Sequence, residues 1–516
     1  MAMRSSPKLL CNLPYIVRSL NSSSSIVATV PPLGLSEKAD GTVVKPVAVA
    51  SPCSTLNLDD VEKLFKSVST VQLLRSSLNL HMAAFGPVVE LGMWVMRSRL
   101  VETAIIREFI LTTVKHTFYE HFCAGENVEE ASRTLQRLWN DGLTGILDYS
   151  LEDATDNDSC DRNLEEFLKT VDSTKFLPPS SVSFACVKIS AICPISLLGR
   201  VSDLLRWKHK DPTFYLPWKR DTMPFLTNAS PFYHTLKRPD PLTAEEEKDL
   251  QLTHQRLMKL CQKCLETNLP LLVDAEYTSV QPAIDYLTYC AAIDFNKDGF
   301  PIVFGTIQAY LKDSKQRMVQ ATEAAEKMGI PIGFKLVRGA YLSSETQIAS
   351  SLGFCSPIHG SIKETHACYN DCTSFMLEKV ARGSAAVVLA THNLESGKVA
   401  TMKAQELGIG KGNEKLQFAQ LKGMAEGLSY GLKSAGFQVS KYLPFGPVEK
   451  VMPYLLRRAE ENKGLLSAST LDRQLMSKEL KRRLKAAILG GSSSPTPGAG
   501  RIVHYGLVKS FTTTIK

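Results

Sequence analysis

PLLVDAEY at residues 270–277, IVFGTIQAY at 302–310 and GFKLVRGAY at 333–341 are three short, apolar runs that contain β-branched residues. Each ends in ionisable or aromatic polar residues, and helical patterns lie between them. Strands that alternate with helices predict a parallel sheet. The same texture extends outward in both directions. GILDYSL (145–151) and SVSFACVKIS (181–190) come before, and AVVLATHN (386–393), LQFAQLKG (416–423) and VSKYLPFG (439–446) come after. Eight such units close a (βα)8 barrel, so the expected fold class is α/β, a TIM barrel. In that fold the C-terminal strand ends form the mouth where catalysis takes place. Lys188, Asp274, Gln308, Lys335 with Arg338, His392 and Tyr442 would gather there. So many polar strand ends on one mouth point to a site.

The rest of the chain divides around this barrel. Of 516 residues, 44% are hydrophobic and 22% charged, an ordinary globular balance. The longest apolar stretch, Met82 to Met96, is shorter than the roughly 20 residues of a membrane span and contains Pro87 and Glu90. The net charge of +8 sits at the two ends, leaving 49 basic and 51 acidic residues between 36 and 477. A nucleic-acid partner would need a basic face on the folded body, so that class is not expected. Residues 1–35 contain Arg4, Lys8 and Arg18, many serines and no acid, which fits a mitochondrial transit peptide. Residues 36–55 read as a linker and 56–141 as an N-terminal helical region. Residues 142–470 hold the barrel, with an irregular, Pro- and aromatic-rich insertion at 194–242. A basic tail at 471–516 completes the chain. Within it KELKRRLKAAIL (478–489) spaces Leu480, Leu484, Ala487 and Ile488 as one helical face. Lys481, Arg482, Arg483 and Lys485 fill the remainder, as in a helix that lies on an anionic membrane or in a terminal helix that packs its leucines on the barrel.

Several motifs can be set aside. Cys261-Gln-Lys-Cys264 has no second pair to complete a zinc site, so no metal is expected. Asp294-Phe-Asn-Lys-Asp-Gly299 begins like an EF-hand loop but has Gly305 where the bidentate Glu belongs. No GxGxxG, Walker A, HExxH or GxSxG pattern occurs, so a Rossmann dinucleotide domain is not supported. The segment that carries chemistry is PVEKVMPYLLRRAEENKG, 447–464. Proline at its start and glycine at its end fit a helix. Tyr454, Arg457, Arg458 and Glu461 then share one face. Adjacent guanidiniums suit bidentate capture of a carboxylate, and a solvated salt-bridge stripe is the alternative.

KLVRGAYL (335–342), LATHN (389–393), FAQLKGM (418–424) and YLPFGPVEKVMPYLLRRAEEN (442–462) together resemble the proline dehydrogenases. The resemblance runs in order over about 140–465, and the serine-rich leader suggests the plant branch of the mitochondrial enzymes. It implies a distorted (βα)8 barrel with its last helix over the mouth, binding FAD without a Rossmann fingerprint. It also implies hydride transfer from L-proline to the flavin N5, giving Δ1-pyrroline-5-carboxylate. Electrons then pass to a quinone (ubiquinone), on the matrix side of the mitochondrial inner membrane.

Residue by residue, the resemblance assigns Arg457 and Arg458 to the proline carboxylate and Lys188 to the substrate. Leu421, Tyr442 and Tyr454 would enclose the proline ring. Asp274 is the acid of the third strand, and Ala275 beside it touches the flavin. Gln308 reaches the isoalloxazine, Arg338, Gly339 and Ala340 bind the cofactor, and Thr391 and His392 contact FAD. Glu152 would pair with Arg457 as a gate. Lys335 stands near the flavin N5 where bacterial relatives have arginine, a cation without the planar fork. Two alternatives accompany this reading. One is hydroxyproline oxidation by the same fold, which Tyr442 opposes by crowding a 4-hydroxyl. The other is a non-catalytic, membrane-associated scaffold.

Overall fold

The computed structural model describes residues 56–84, 86, 90, 103–297, 299–464 and 466–488. The expected transit peptide (1–35), the linker (36–55) and the tail beyond 488 lie outside the described residues.

Eight parallel strands close a barrel in chain order. They are β1 Thr144–Tyr149, β2 Val182–Val187, β3 Leu271–Val273 and β4 Val303–Gln308. β5 Ile332–Val337, β6 Ala385–Ala390, β7 Leu416–Leu421 and β8 Gln438–Phe445 follow, and β8 pairs with β1. Helices cover the outside and the barrel fills the inside, so these strands are apolar on both faces. Their inward side chains are graded along the strands. Thr144, Ser183, Gln417 and Ser440 hydrogen-bond together near the N-terminal end. Ile146, Phe184, Leu272, Phe304, Val388 and Ala419 form an apolar plug above them. Charged groups occupy the next level, toward the mouth.

All eight expected strands are present, and most of the expected runs extended two to four residues too far at the mouth. There the backbone leaves the ladder to present side chains, and small, apolar and aromatic residues continue into the turn. The expected irregular insertion at 194–242 is corrected in part. Ile195–Lys210 is a regular helix that buries Leu197, Leu198, Val201, Leu204 and Leu205 at helical spacing. From 211 to 243 the chain is irregular apart from one turn of 3-10 helix, Phe232–His234. Arg206 ties this region to the loop after β3, donating to the carbonyls of Thr278 (2.5 Å) and Ser279 (2.6 Å). The EF-hand look-alike starts in the last turn of helix Gln281–Phe295. Asn296 accepts the amides of Ile302 and Val303 and so leads the chain into β4.

The described residues of the N-terminal region are largely helical and pack against the barrel. Helix Val128–Asn140 packs Ala131 and Leu135 against Leu147 and Leu443, outside β1 and β8. That is where a last barrel helix would ordinarily sit, and helix Val448–Gly464 instead packs with Leu421, Met424, Tyr119 and Phe122 across the mouth. Tyr119 donates to Gly446 O (2.7 Å) and Lys422 to the carbonyls of Glu120 and His121, so the loops after β7 and β8 are pinned.

The basic segment expected to be helical lies in a longer C-terminal helix, Leu466–Ile488, that packs on the protein. Leu475 and Met476 belong to the main core. Asp472 accepts the amides of Glu426 and Gly427 and caps helix Glu426–Ser434. A Cβ on Gly427 would come within 2.6 Å of the Leu475 methyl, so a larger residue there would make Leu475 shift. Arg482 and Arg483 turn toward the protein and bind the buried Glu479. Leu480 packs on the core, while Leu484 and Ile488 are 60% and 73% exposed.

Candidate active site

The charged level of the barrel centres on Asp274, which directly follows β3 and is buried. Tyr442, inward on β8, donates to Asp274 Oδ2 at 2.7 Å. Lys335, inward on β5, forms an ion pair with Oδ1 and lies 5.2 Å from the Tyr442 ring centroid. Lys188, at the end of β2, places Nζ 3.8 Å from Asp274 Oδ2 and 3.7 Å from Asp148 Oδ2. Burial alone would raise the Asp274 pKa, but Lys335 and Lys188 overcome it and hold the carboxyl well below its usual range. For Lys188 burial opposes the charge, and Asp148, Asp274 and Glu152 outweigh it, raising its pKa well above the ordinary value. Lys335 is raised likewise, by Asp274 against burial. The three groups are therefore ionised at neutral pH. Asp148, Cys186 and Asp274 have donor atoms close enough to share a cation. The two lysine ammoniums already supply positive charge to these carboxylates.

Across the mouth, Arg457 forms a two-pronged pair with Glu152, at 2.8 and 3.0 Å. Its guanidinium lies 5.5 Å from the Tyr341 ring, which packs against Tyr277 at 4.2 Å between centroids. Arg458 is buried, 5.1 Å from the ring of Tyr454 on the same helix. Arg457 and Glu152 thus meet as expected, and helix geometry brings Tyr454 to Arg458.

A second cluster gathers around Arg338. It donates to His366 Nδ1 (2.9 Å), Thr391 Oγ1 (2.8 Å) and Ser396 Oγ (2.8 Å), over the Tyr369 ring at 4.3 Å. His392 accepts the Leu421 amide on Nε2 at 3.0 Å, and burial lowers its pKa to about 3. The ring is neutral with its proton on Nδ1. Gln308 donates to the carbonyl of Glu276 at 2.9 Å. Ala275, Gly339 and Ala340 are half-buried at strand ends. Gly339 has φ +136°, and a Cβ there would strike the Tyr310 ring at 2.5 Å. Only glycine lets the backbone pass.

The structure adds residues that the sequence reading missed. Glu276 is buried on the amide and hydroxyl of Ser190, and burial raises its pKa to about 7. Tyr277, Tyr341, His366 and Tyr369 complete the mouth and the Arg338 cradle. Asp148 alone had a usable signal, since it shares strand parity with Ile146 and must face inward.

A family profile described as proline dehydrogenase matches residues 131–470. Proline dehydrogenase 2, mitochondrial, from Arabidopsis thaliana is 54% identical over 434 residues, 84% of this chain and 91% of that protein. Proline dehydrogenase 1, mitochondrial, from the same organism is 54% identical over 436 residues, 84% and 87%. The hydroxyproline dehydrogenase of Homo sapiens is 33% identical over 456 residues, 85% and 94%. Among solved structures, proline utilization A from Bdellovibrio bacteriovorus matches with a TM-score of 0.54 at 22% identity. That match covers 72% of this chain and 35% of the bacterial one, about a third of its length, and shows the fold.

Proposed function

The chain belongs to the proline dehydrogenase family and oxidises proline to Δ1-pyrroline-5-carboxylate in proline catabolism; we propose that it does so on FAD at the barrel mouth, passing electrons to a quinone on the matrix side of the mitochondrial inner membrane. The observation that carries this reading is the pairing of levels at the mouth. Arg457 and Arg458 descend from one helix above, and Lys188, Lys335 and Asp274 rise from the barrel below.

The reaction needs a small zwitterion held flat against a redox cofactor, so orientation is the protein's main task. Arg457 and Arg458 take the carboxylate, with Lys188 as a third cation. Glu152 holds Arg457 in place and shares it when substrate arrives. Tyr442, Tyr454 and Leu421 enclose the ring. Asp274 fixes the Tyr442 hydroxyl and balances Lys335. Asp274 is held too acidic, and Lys188 too basic, to take the amine proton near neutral pH.

Residues at the strand ends fit FAD. Arg338 commits three of its five N–H donors to His366, Thr391 and Ser396, which fixes its plane and leaves two for an anionic group. Thr391 and neutral His392 lie beside it, and Gln308, Ala275, Gly339 and Ala340 offer polar and small surfaces at neighbouring strand ends. When bound, the flavin would supply the two-electron acceptor, and Lys335 would be a cation toward it.

The test is spectroscopic. Purified protein should be yellow and bleach on addition of L-proline; colourless protein, or yellow protein indifferent to proline, would overturn the reading. Substrate choice gives a second check. Tyr442→Ser opens space beside Asp274 and removes an aromatic wall. The ratio of kcat/KM for proline to that for 4-hydroxyproline is expected to fall about tenfold, the scale of one small group in a tight pocket. An unchanged ratio would place the 4-position elsewhere.

Membrane contact would lie where the C-terminal helix exposes Leu484, Ile488, Lys481 and Lys485, beside a helix exposing Val71, Leu74 and Leu78. Leu484→Ser with Ile488→Ser is expected to abolish salt-sensitive adsorption to cardiolipin-containing vesicles and to leave dye-linked turnover intact. Equal adsorption by variant and parent would remove this helix from the proposal.

A further inference from the structure

We propose that Asp148 is a positioning residue for substrate binding, the counter-ion that keeps Lys188 charged and fixed between two carboxylates. Asp148 is 1% exposed and inward on β1. Its Oδ2 accepts from Ser150 Oγ at 2.6 Å and lies 3.7 Å from Lys188 Nζ. Oδ1 is buried with no hydrogen-bond partner among the described residues. An ionised carboxylate in such a place persists only beside a cation.

The neighbouring geometry makes Asp148 the partner that matters to Lys188. Asp274 has both oxygens engaged, Oδ1 by Lys335 and Oδ2 by Tyr442. Lys188 therefore reaches only a shared oxygen there, at 3.8 Å. Lys335 opposes it with a like charge. Among the described residues Lys188 is the one cation within 4 Å of Asp148, so its charge falls mainly on Lys188. The other groups that act on Lys188 are Glu152 and Asp153 after β1, Cys186 on β2, Glu276 after β3 and Tyr341 after β5. Cys186 and Tyr341 are held neutral by burial. Glu152 is already committed to Arg457.

The sign follows from these partners. Burial pulls the Lys188 pKa down, and the carboxylates push it up further. Removing the Asp148 charge leaves burial less opposed, so the pKa falls. An ammonium that meets the substrate carboxylate is then lost as pH rises through the lower value. An opposite charge at this range is worth about 1–3 pKa units.

This inference rests on the reading that Lys188 meets the substrate carboxylate, and the experiment separates the two. The probe is tetrahydro-2-furoate, a proline analogue with ring oxygen in place of the amine, so that only the protein titrates. Its Ki against proline oxidation, with a soluble dye acceptor, is measured from about pH 7 to about pH 10 in cofactor-loaded protein. Parent, Asp148→Asn, Lys188→Met and the double variant are compared. The parent Ki is expected to stay flat, and that of Asp148→Asn to rise with pH within the window, by as much as one decade per pH unit above the lowered Lys188 pKa. Lys188→Met should be weak and flat, with the double variant indistinguishable from it. If Lys188→Met weakens binding while Asp148→Asn tracks the parent, the proposal fails and the reading of Lys188 stands. If Lys188→Met binds like the parent, the reading itself fails. Should Asp148→Asn not fold, recovery of folded protein in the double variant supports the pairing, and its failure to fold overturns it.

Discussion

Arg458→Met is expected to raise the KM for proline by about 30- to 1,000-fold while the protein keeps its fold and its yellow colour. The guanidinium is buried, on a helix that lies over the mouth, 5.1 Å from the Tyr454 ring. A charge-assisted, two-pronged bond to a carboxylate in such a shielded place is worth on the order of 2–4 kcal/mol, and each 1.4 kcal/mol is a factor of ten. Methionine keeps the apolar stem against Tyr454 and deletes only the charged fork. The measurement is steady-state kinetics with a soluble acceptor, beside a flavin spectrum and a thermal melt. Near-normal affinity for proline would remove Arg458 from the clamp. The neighbouring arginine is a poorer choice for this test. Loss of Arg457 would also strand Glu152, a carboxylate held acidic by Arg457 and Lys188 against burial, and would mix binding with gate damage.

What the sequence made legible follows a physical line. Each strand is a short, mostly apolar run, largely buried, and local runs can be read without the fold. Lys188, Asp274, Gln308 and Tyr442 were visible because polarity at the end of an apolar strand is also local. The helix of 447–464 was visible through its spacing, but its place over the mouth came from the family resemblance. What stayed hidden joins distant segments. His366 meets Arg338 across 28 positions and Glu479 reaches Phe65 through Arg483 across more than four hundred. No periodicity encodes such pairs. Helix 195–210 was obscured for a different reason. The prolines and aromatics of 211–242 are not helical, and they masked the regular pattern of Leu197, Leu198, Val201, Leu204 and Leu205 before them.

The same contrast between local and distant decides what the C-terminal helix is for. Read alone, KELKRRLKAAIL is a basic amphipathic helix, and removing it should cost only a surface. In the fold, Glu479 is 0% exposed and gathers both Arg482 and Arg483. Arg483 then donates to the carbonyls of Phe65 (2.9 Å) and Val68 (2.9 Å) and to Thr70 Oγ1 (3.1 Å). Arg482 reaches Glu62 at 3.2 Å. These bonds satisfy the chain that links helices Val61–Leu64 and Thr70–Ala84, a segment that also buries Phe65 edge-on against Tyr430. Hydrogen bonds from a charged donor contribute about 1.5–3 kcal/mol each, and the packing of Leu480 adds about 1 kcal/mol. Truncation after Ser477 is therefore expected to cost on the order of 5 kcal/mol, read as a fall in the urea midpoint. Proteolysis should first cut near residues 65–70, where the freed carbonyls face water. Because Leu475, Met476 and Asp472 remain, the cap on helix Glu426–Ser434 persists and the barrel keeps its mouth. A truncated protein with an unchanged midpoint and no new cleavage site would show that Arg483 and Glu479 decorate the surface. It would return the C-terminal helix to a purely membrane-facing role.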